Sequence, residues 1–401
     1  MKYIVIVPDG MADYPLPELG NKTPLEAAHR TNMNHLAKQG MSGLVQTIPD
    51  GMSPGSDIGN LALLGYDPTK NFSGRAPLEA ANLNIILADD EIAFRCNLVT
   101  VENHRMVDYS AGHIGTQEAS ILIDSLNKEI NSPDVKFYPG KSYRHLAVLK
   151  VRKIEAFKQI KCTPPHDILG KDMRPFLPQG KEAVTILALM ERSKKIFADH
   201  PVNQVRLDLK ENPATMIWLW GQGTRPELPS FKEKFGIDGA IISAVDLVNG
   251  IGRLIGLEVI NVPGATGYYD TNYRGKAEYA LEALKKKDFV FIHIEATDEA
   301  GHKGEAKAKM EAIEHIDSEI VGTILNHFNA QDDFRVLILP DHPTPVSLRT
   351  HSADPVPFLM FGKGISSTNA TEYSESAGQE KGLKFKSGEE LMNYFLKKNL
   401  L

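Results

Sequence analysis

The sequence has only two cysteines, Cys96 and Cys162, far apart and outside any CxxC pair, so a disulfide framework is not expected. No apolar run approaches the length needed to cross a bilayer. The opening MKYIVIVPDG carries one lysine and a short apolar stretch before Asp9, which reads as a buried strand and not as a signal peptide. A cytoplasmic location with no membrane partner is the resulting expectation. The formal net charge is only -6, which gives no reason to expect nucleic acid as a partner. Internal repeats and low-complexity tracts are absent. So are three catalytic signatures. There is no GxxxxGK[ST] phosphate loop and no GxGxxG after an apolar run, and the surroundings of Ser56 (Ser53-Pro54-Gly55-Ser56-Asp57-Ile58-Gly59) do not form the GxSxG elbow of a Ser-His-Asp hydrolase.

What is present is a set of short apolar runs, each ending in Asp, Gly or His: YIVIVPDG (3–10), MIWLWGQG (216–223), LEVINVPG (257–264), FVFIHIEATD (289–298) and RVLILPDH (335–342). Near-continuous runs of this kind read as strands buried on both faces. Helical patterns lie between them, at 23–40 with a Thr-Pro start and a Gly stop, at 275–288 and at 307–328. Strands alternating with helices predict an α/β fold with a mostly parallel sheet and helices on both faces. In such sheets, ligands bind beyond the carboxyl ends of the strands. Shorter strand patterns and two helical stretches (116–130 and 181–199) fill the middle of the chain, with a Pro/Gly-rich loop at 163–180. This predicts a smaller α+β domain over 88–204, inserted into a core made of 1–87 and 205–401, within a chain of 401 residues that has room for two domains.

Four separated segments carry candidate chemistry: Asp9 after the first strand; Ser56 in PGSDIGN; Asp298 and His302 in TDEAGH; and Asp341, His342 and His351 in PDHPTPVSLRTH. Taken singly, each has a structural explanation. Asp9 reads as a turn residue, Ser56 as a helix cap and the Asp341-His342 pair as a capped turn. Together they differ, because Asp9, Asp298 and the Asp341-His342 pair each follow an expected strand, and a single sheet would bring them together. Three aspartates, three histidines and one serine suit two divalent cations about 3.5–4 Å apart. Mixed carboxylate and imidazole donors favour Mn²⁺ or Zn²⁺ over Ca²⁺. Asp298 and His302 are spaced to share one face of a helical turn.

At these residues, and along nearly the whole chain, the sequence resembles the archaeal-type, cofactor-independent phosphoglycerate mutases of the alkaline phosphatase superfamily. The likeness runs through PDGMADYPL, NKTPLEAA, PGSDIGNLALLGYDP, GRAPLEA, FRCNLVT, GATGYYDTNYRGKA, EATDEAGHKGE and PDHPTP followed by HSADPVPF. The resemblance implies a phosphatase-like core with an inserted cap domain and two metal ions, Mn²⁺ first, with Mg²⁺ or Zn²⁺ as alternatives. Carried over by position, Asp298, His302 and His351 would hold one ion, and Asp9, Ser56, Asp341 and His342 the other. It implies interconversion of 3-phosphoglycerate and 2-phosphoglycerate without bisphosphoglycerate, through a phosphorylated Ser56. Arg75, Arg95, His113, Arg144, Arg274 and Lys276 are the cations expected to hold the small phosphorylated substrate, since guanidinium forks match carboxylate and phosphate oxygens. One stretch departs from the family pattern: DYSAGHI (108–114) has Ser110 and His113 where arginines are expected. TPPHDI (163–168) and HPVN (200–203) also look like a related bacterial branch, so a homoserine kinase-like phosphotransferase, or a metal-dependent phosphatase, is the alternative.

Overall fold

The computed structural model describes residues 1–328 and 332–397. Strands are numbered along the chain: β1 Lys2–Pro8, β2 Met41–Val45, β3 Glu91–Glu102, β4 Arg105–Asp108, β5 Val135–Tyr138, β6 Arg144–Lys150, β7 Met216–Gly223, β8 Gly239–Ile242, β9 Glu258–Val259, β10 Phe289–Ile294, β11 Phe334–Ile338, β12 Val356–Gly362 and β13 Leu383–Phe385. The chain divides into two compact units, Met1–Phe72 with Leu228–Leu401, and Ser73–Glu227. The expected insertion at 88–204 falls inside the second unit, which also takes in the helix Arg75–Asn82 and β7.

The first unit is built on an eight-stranded sheet in the order β13-β2-β12-β11-β1-β10-β8-β9. β11, β1, β10, β8 and β9 run parallel, whereas β12 is antiparallel to both β11 and β2. This is the α/β, mostly parallel sheet that the sequence predicts. The central strands are buried along their length because helices cover the sheet. Ile4, Ile6, Val290, Ile292, Val336 and Ile338 share one core cluster with Ala277 and Ala280 from the helix Tyr273–Leu284 and with Ile313, Ile316 and Ile320. The expected helix at 23–40 is two helices, Pro24–Ala27 and Thr31–Gln39. The first opens on a capping box, in which Thr23 accepts from the Glu26 amide and the Glu26 carboxylate accepts from the Thr23 amide. The helical pattern at 307–328 spans Ala306–His315, a π-helical turn at Ile316–Val321 and Gly322–His327.

The second unit holds a five-stranded antiparallel sheet. β3 pairs with β6, β7 and β4, and β6 pairs in turn with β5. Its core gathers Phe94, Cys96, Leu98, Leu122, Leu126, Phe137, Leu149, Ile186, Met190 and Trp218. Here one expectation is corrected. The run 216–223 reads from sequence as a strand of the α/β core, but it forms β7 of this antiparallel sheet. An apolar run shows that both faces of a strand are buried, not which sheet buries them. LEVINVPG likewise contributes only the two-residue β9. Cys96 and Cys162 are both free, and no described helix is long and apolar enough to cross a membrane.

Candidate active site

β1 lies between β10 and β11, all three parallel, so their carboxyl ends emerge side by side. Asp9 directly follows β1. Asp298 and His302 lie on the helix Ala296–Lys303, which begins just past β10, and Asp341 and His342 follow β11. His351 comes from the loop before β12, and Ser56 is the first residue of the helix Ser56–Leu63. The structure thus brings all seven proposed ligand residues to one edge of one sheet.

The Ser56 hydroxyl is 3.2 Å from Asp9 Oδ2 and 3.3 Å from His342 Nε2. His342 Nε2 is 3.3 Å from Asp9 Oδ1 and 3.5 Å from Asp341 Oδ2. Asp341 is fixed by amides: Gly10 and His342 donate to Oδ1, and Asn60 Nδ2 donates to Oδ2 at 2.7 Å. A few ångströms away, Asp298 Oδ2 meets His302 Nε2 at 3.2 Å and Oδ1 lies 3.5 Å from His351 Nε2. The two imidazole nitrogens, His302 Nε2 and His351 Nε2, are 2.9 Å apart. Gly10 permits this crowding. It has φ +61°, and a Cβ there would lie 2.5 Å from Asp298 Oδ1 and 2.4 Å from Thr344 Oγ1. Behind the site, the buried Lys309 pairs with Asp13 at 2.7 Å and donates to the Thr344 carbonyl, tying the segment after Asp9 to the segment after His342.

The electrostatics point to missing positive charge. Burial raises the Asp9 pKa well above the usual carboxylate range, and Asp341, Glu295 and Asp298 push it further. Burial and Asp298 likewise raise Glu295 to about 8. Burial also works against the Asp298 carboxylate, yet hydrogen bonds from His302 and His351 hold its pKa well below the ordinary value, and the Asp298 contact lifts His302 to about 9. Asp9 Oδ1, Glu295 Oε2 and His293 Nε2 are buried without hydrogen-bond partners. Asp298, His342 and His351 offer ligand atoms within 4.8 Å of one another, as do Asp9, His293 and Asp341, and Asp9, Glu295 and Asp298. Facing imidazole nitrogens, crowded carboxylates and orphaned donor atoms are the arrangement that bound divalent cations relieve, and the oxygen–nitrogen donor set fits them.

Sequence reasoning missed His293, Glu295, Asn60 and Thr344. For the first two a signal was available. They are the two polar residues of FVFIHIEA, His293 near the end of the strand and Glu295 directly after it, at the carboxyl end where the other candidate ligands gather. Asn60 and Thr344 act only through residues brought near by folding.

The expected substrate cations fall in two places. In the first unit, Lys276 is fully buried, donates to the His293 carbonyl at 2.9 Å and is pushed down to about 8 by burial. Arg274 is exposed and pairs with Glu278 on its own helix at 2.9 Å. In the second unit, the Arg95 guanidinium stacks 4.2 Å over Trp220 and pairs with Glu79 at 3.0 Å. Its pKa is lowered by burial and, despite Glu79, by neighbouring Arg75 and Arg144. Arg144 lies over Tyr143, and the His113 ring packs edge-on against the same tyrosine. His166, from TPPHDI, joins Trp220 and Tyr109. Arginines and aromatic rings therefore gather within this unit.

The fold and site define an α/β protein whose sheet presents a buried carboxylate–imidazole centre, with a serine hydroxyl in contact, at its carboxyl edge. A family model described as 2,3-bisphosphoglycerate-independent phosphoglycerate mutase matches residues 37–203. The chain is 51% identical over 383 residues to the enzyme of that name from Methanosarcina acetivorans, covering 95% of this chain and 96% of that one. It is 46% identical to a probable mutase from Geobacter sulfurreducens, over 99% of this chain and all of the relative. Among solved structures, a Pyrococcus horikoshii protein matches with TM-score 0.83 and 31% identity, covering 98% of this chain and 97% of that one. The cofactor-independent phosphoglycerate mutase of Thermoplasma acidophilum matches with TM-score 0.69 and 27% identity, covering 99% of both chains. The chain belongs to the 2,3-bisphosphoglycerate-independent phosphoglycerate mutase family, a family of isomerases.

Proposed function

We propose that this protein interconverts 3-phosphoglycerate and 2-phosphoglycerate without added bisphosphoglycerate, with Ser56 taking and returning the phosphoryl group. The observation that carries the reading is the Ser56 hydroxyl at 3.2 Å from Asp9 and 3.3 Å from His342, inside a cluster with orphaned ligand atoms. In this reading, Asp9, Ser56, Asp341 and His342 hold one divalent cation, and Asp298, His302 and His351 hold a second. Mn²⁺ is the first choice, with Mg²⁺ or Zn²⁺ as alternatives. When bound, such ions acidify a hydroxyl and neutralise phosphoryl oxygens.

The chain's own residues do the rest. Ser56 Oγ attacks phosphorus and forms a phosphoserine as the glycerate oxygen leaves. The glycerate turns, and its other hydroxyl attacks the phosphoserine, restoring Ser56. Asn60 and the amides of Gly10 and His342 keep the Asp341 carboxylate aimed while this happens. Arg75, Arg95, His113, Arg144, Arg274 and Lys276 remain the proposed holders of the substrate's phosphate and carboxylate, and the stacking of the Arg95 guanidinium on Trp220 supports that role for Arg95. The test is conversion of 3-phosphoglycerate to 2-phosphoglycerate by Mn²⁺-loaded protein with no bisphosphoglycerate, alongside phosphate release and ATP-dependent phosphorylation of homoserine on the same sample. Turnover only in the last two assays would overturn the reading.

A further inference from the structure

His293 lies near the end of β10, paired in register with Val7 of β1, and its side chain is fully buried. Nδ1 is anchored 3.2 Å from the Ser243 hydroxyl, which also accepts from the Val245 amide at 3.0 Å. The backbone carbonyl of His293 is held by the buried Lys276. Nε2 points the other way. It is 3.0 Å from Asp9 Oδ2 yet makes no hydrogen bond there, and it shares a 4.8 Å cluster with the Asp9 and Asp341 carboxylates. Asp9 Oδ1 in the same cluster also makes no hydrogen bond.

A buried nitrogen left without a hydrogen bond is costly, so the position needs an explanation. A purely structural histidine would turn its ring to complete a hydrogen bond to Asp9. A ring with one nitrogen anchored to a fixed group and the other open toward carboxylates is the arrangement of a histidine ligand. We propose that His293, through Nε2, is a ligand of the same cation as Asp9 and Asp341, with Ser243 fixing the ring and its tautomer. The inference rests on the two-cation reading above and adds a nitrogen donor to the ion beside Ser56.

The test compares wild-type protein with His293→Gln. Metal content is measured after dialysis against a series of free Mn²⁺ concentrations, and the visible absorption spectrum is recorded with Co²⁺ in place of Mn²⁺. The wild type is expected to hold two ions per chain. The variant is expected to keep the ion at Asp298, His302 and His351, to bind the other about 10–100-fold more weakly, and to show an altered Co²⁺ band. Two ions of unchanged affinity with an unchanged Co²⁺ spectrum would overturn the proposal while leaving the catalytic reading standing. A wild type that binds no ions would overturn both. Should His293→Gln fail to fold by circular dichroism, Ser243→Ala keeps the imidazole and loosens its anchor. The same ion should then bind more weakly by a smaller factor, and unchanged affinity would count against the proposal.

Discussion

The two units solve opposite electrostatic problems. In the first, Asp9, Asp298, Asp341 and Glu295 gather with four imidazoles, His293, His302, His342 and His351, and burial penalises the charged forms of Asp9 and Glu295. In the second, Arg75 and Arg144 lie close enough to disfavour the charge of Arg95, with Trp220 and Tyr143 as the surfaces on which guanidiniums rest. In the proposed reading, the first cluster would take up cations and the second an anion. Their construction differs as well. The first sits at the ends of neighbouring parallel strands, where chain direction forces convergence. The second is assembled from β3, β6, β7, the start of a helix and a Pro-rich loop, and depends on pairing across an antiparallel sheet.

The largest test of this contrast is removal of the hydroxyl from the first cluster. Ser56→Ala should lower mutase turnover by at least about 10⁴-fold, as loss of a nucleophile does. Its thermal unfolding should stay close to wild type, because the Oγ contacts are at 3.2 and 3.3 Å and Ser56 is only half-buried. Substantial residual turnover in a coupled assay for 2-phosphoglycerate would show that the cluster is not where phosphoryl transfer occurs. Chelation comes next. EDTA should bring turnover to background and Mn²⁺ should restore it, whereas full activity after exhaustive chelation would remove the reason for the crowded carboxylates.

The same difference in construction decides what the sequence reveals. Asp9, Asp298, Asp341 and His342 were legible because each ends a strong apolar run, and parallel strands put such ends together. The α/β class followed from the same runs. His293 and Glu295 lay in plain view within FVFIHIEATD, but a polar residue near a strand end has many structural uses and only the neighbours reveal this one. In the second unit the arginines could be named but not grouped, since nothing in sequence spacing tells that Arg95 stacks on Trp220, 125 positions along the chain, or that His166 joins them. The placement of β7 failed for the same reason. Its composition specifies burial, and the partner strand is chosen by tertiary structure.

Two further variants separate framework from recognition. Lys309→Met leaves Asp13 as a buried carboxylate without its ammonium partner and should cost about 3–5 kcal/mol of stability by urea unfolding, as breaking a fully buried pair does. A loss below about 1 kcal/mol would mean that the segments after Asp9 and His342 are held by other contacts. Arg95→Gln probes the second unit. Loss of one charge-assisted contact should raise KM for phosphoglycerate about 10–100-fold, with a smaller effect on kcat. An unchanged KM would break the assignment of the arginine cluster to the anionic substrate.

The smallest effect is also in the second unit, one residue beyond Arg144. His145 on β6 accepts from the Gly140 amide through Nδ1 at 3.0 Å, while Nε2 is buried with no partner, and burial pushes its pKa down to about 4. In the unfolded chain the same ring titrates near about 6.5. Between those values the unfolded state binds a proton that the folded state refuses, so stability is fully present above the higher value and is lost as pH falls toward the lower one. The loss should reach about 1.4 kcal/mol at pH 5.5, read as the difference in urea midpoints between pH 7.5 and 5.5, and His145→Gln should remove that increment. Retention of the full pH dependence by the variant would move the acid sensitivity to other groups. Its disappearance would show that the second unit, already cationic around Arg95, keeps one more positive charge out by burying an uncharged ring.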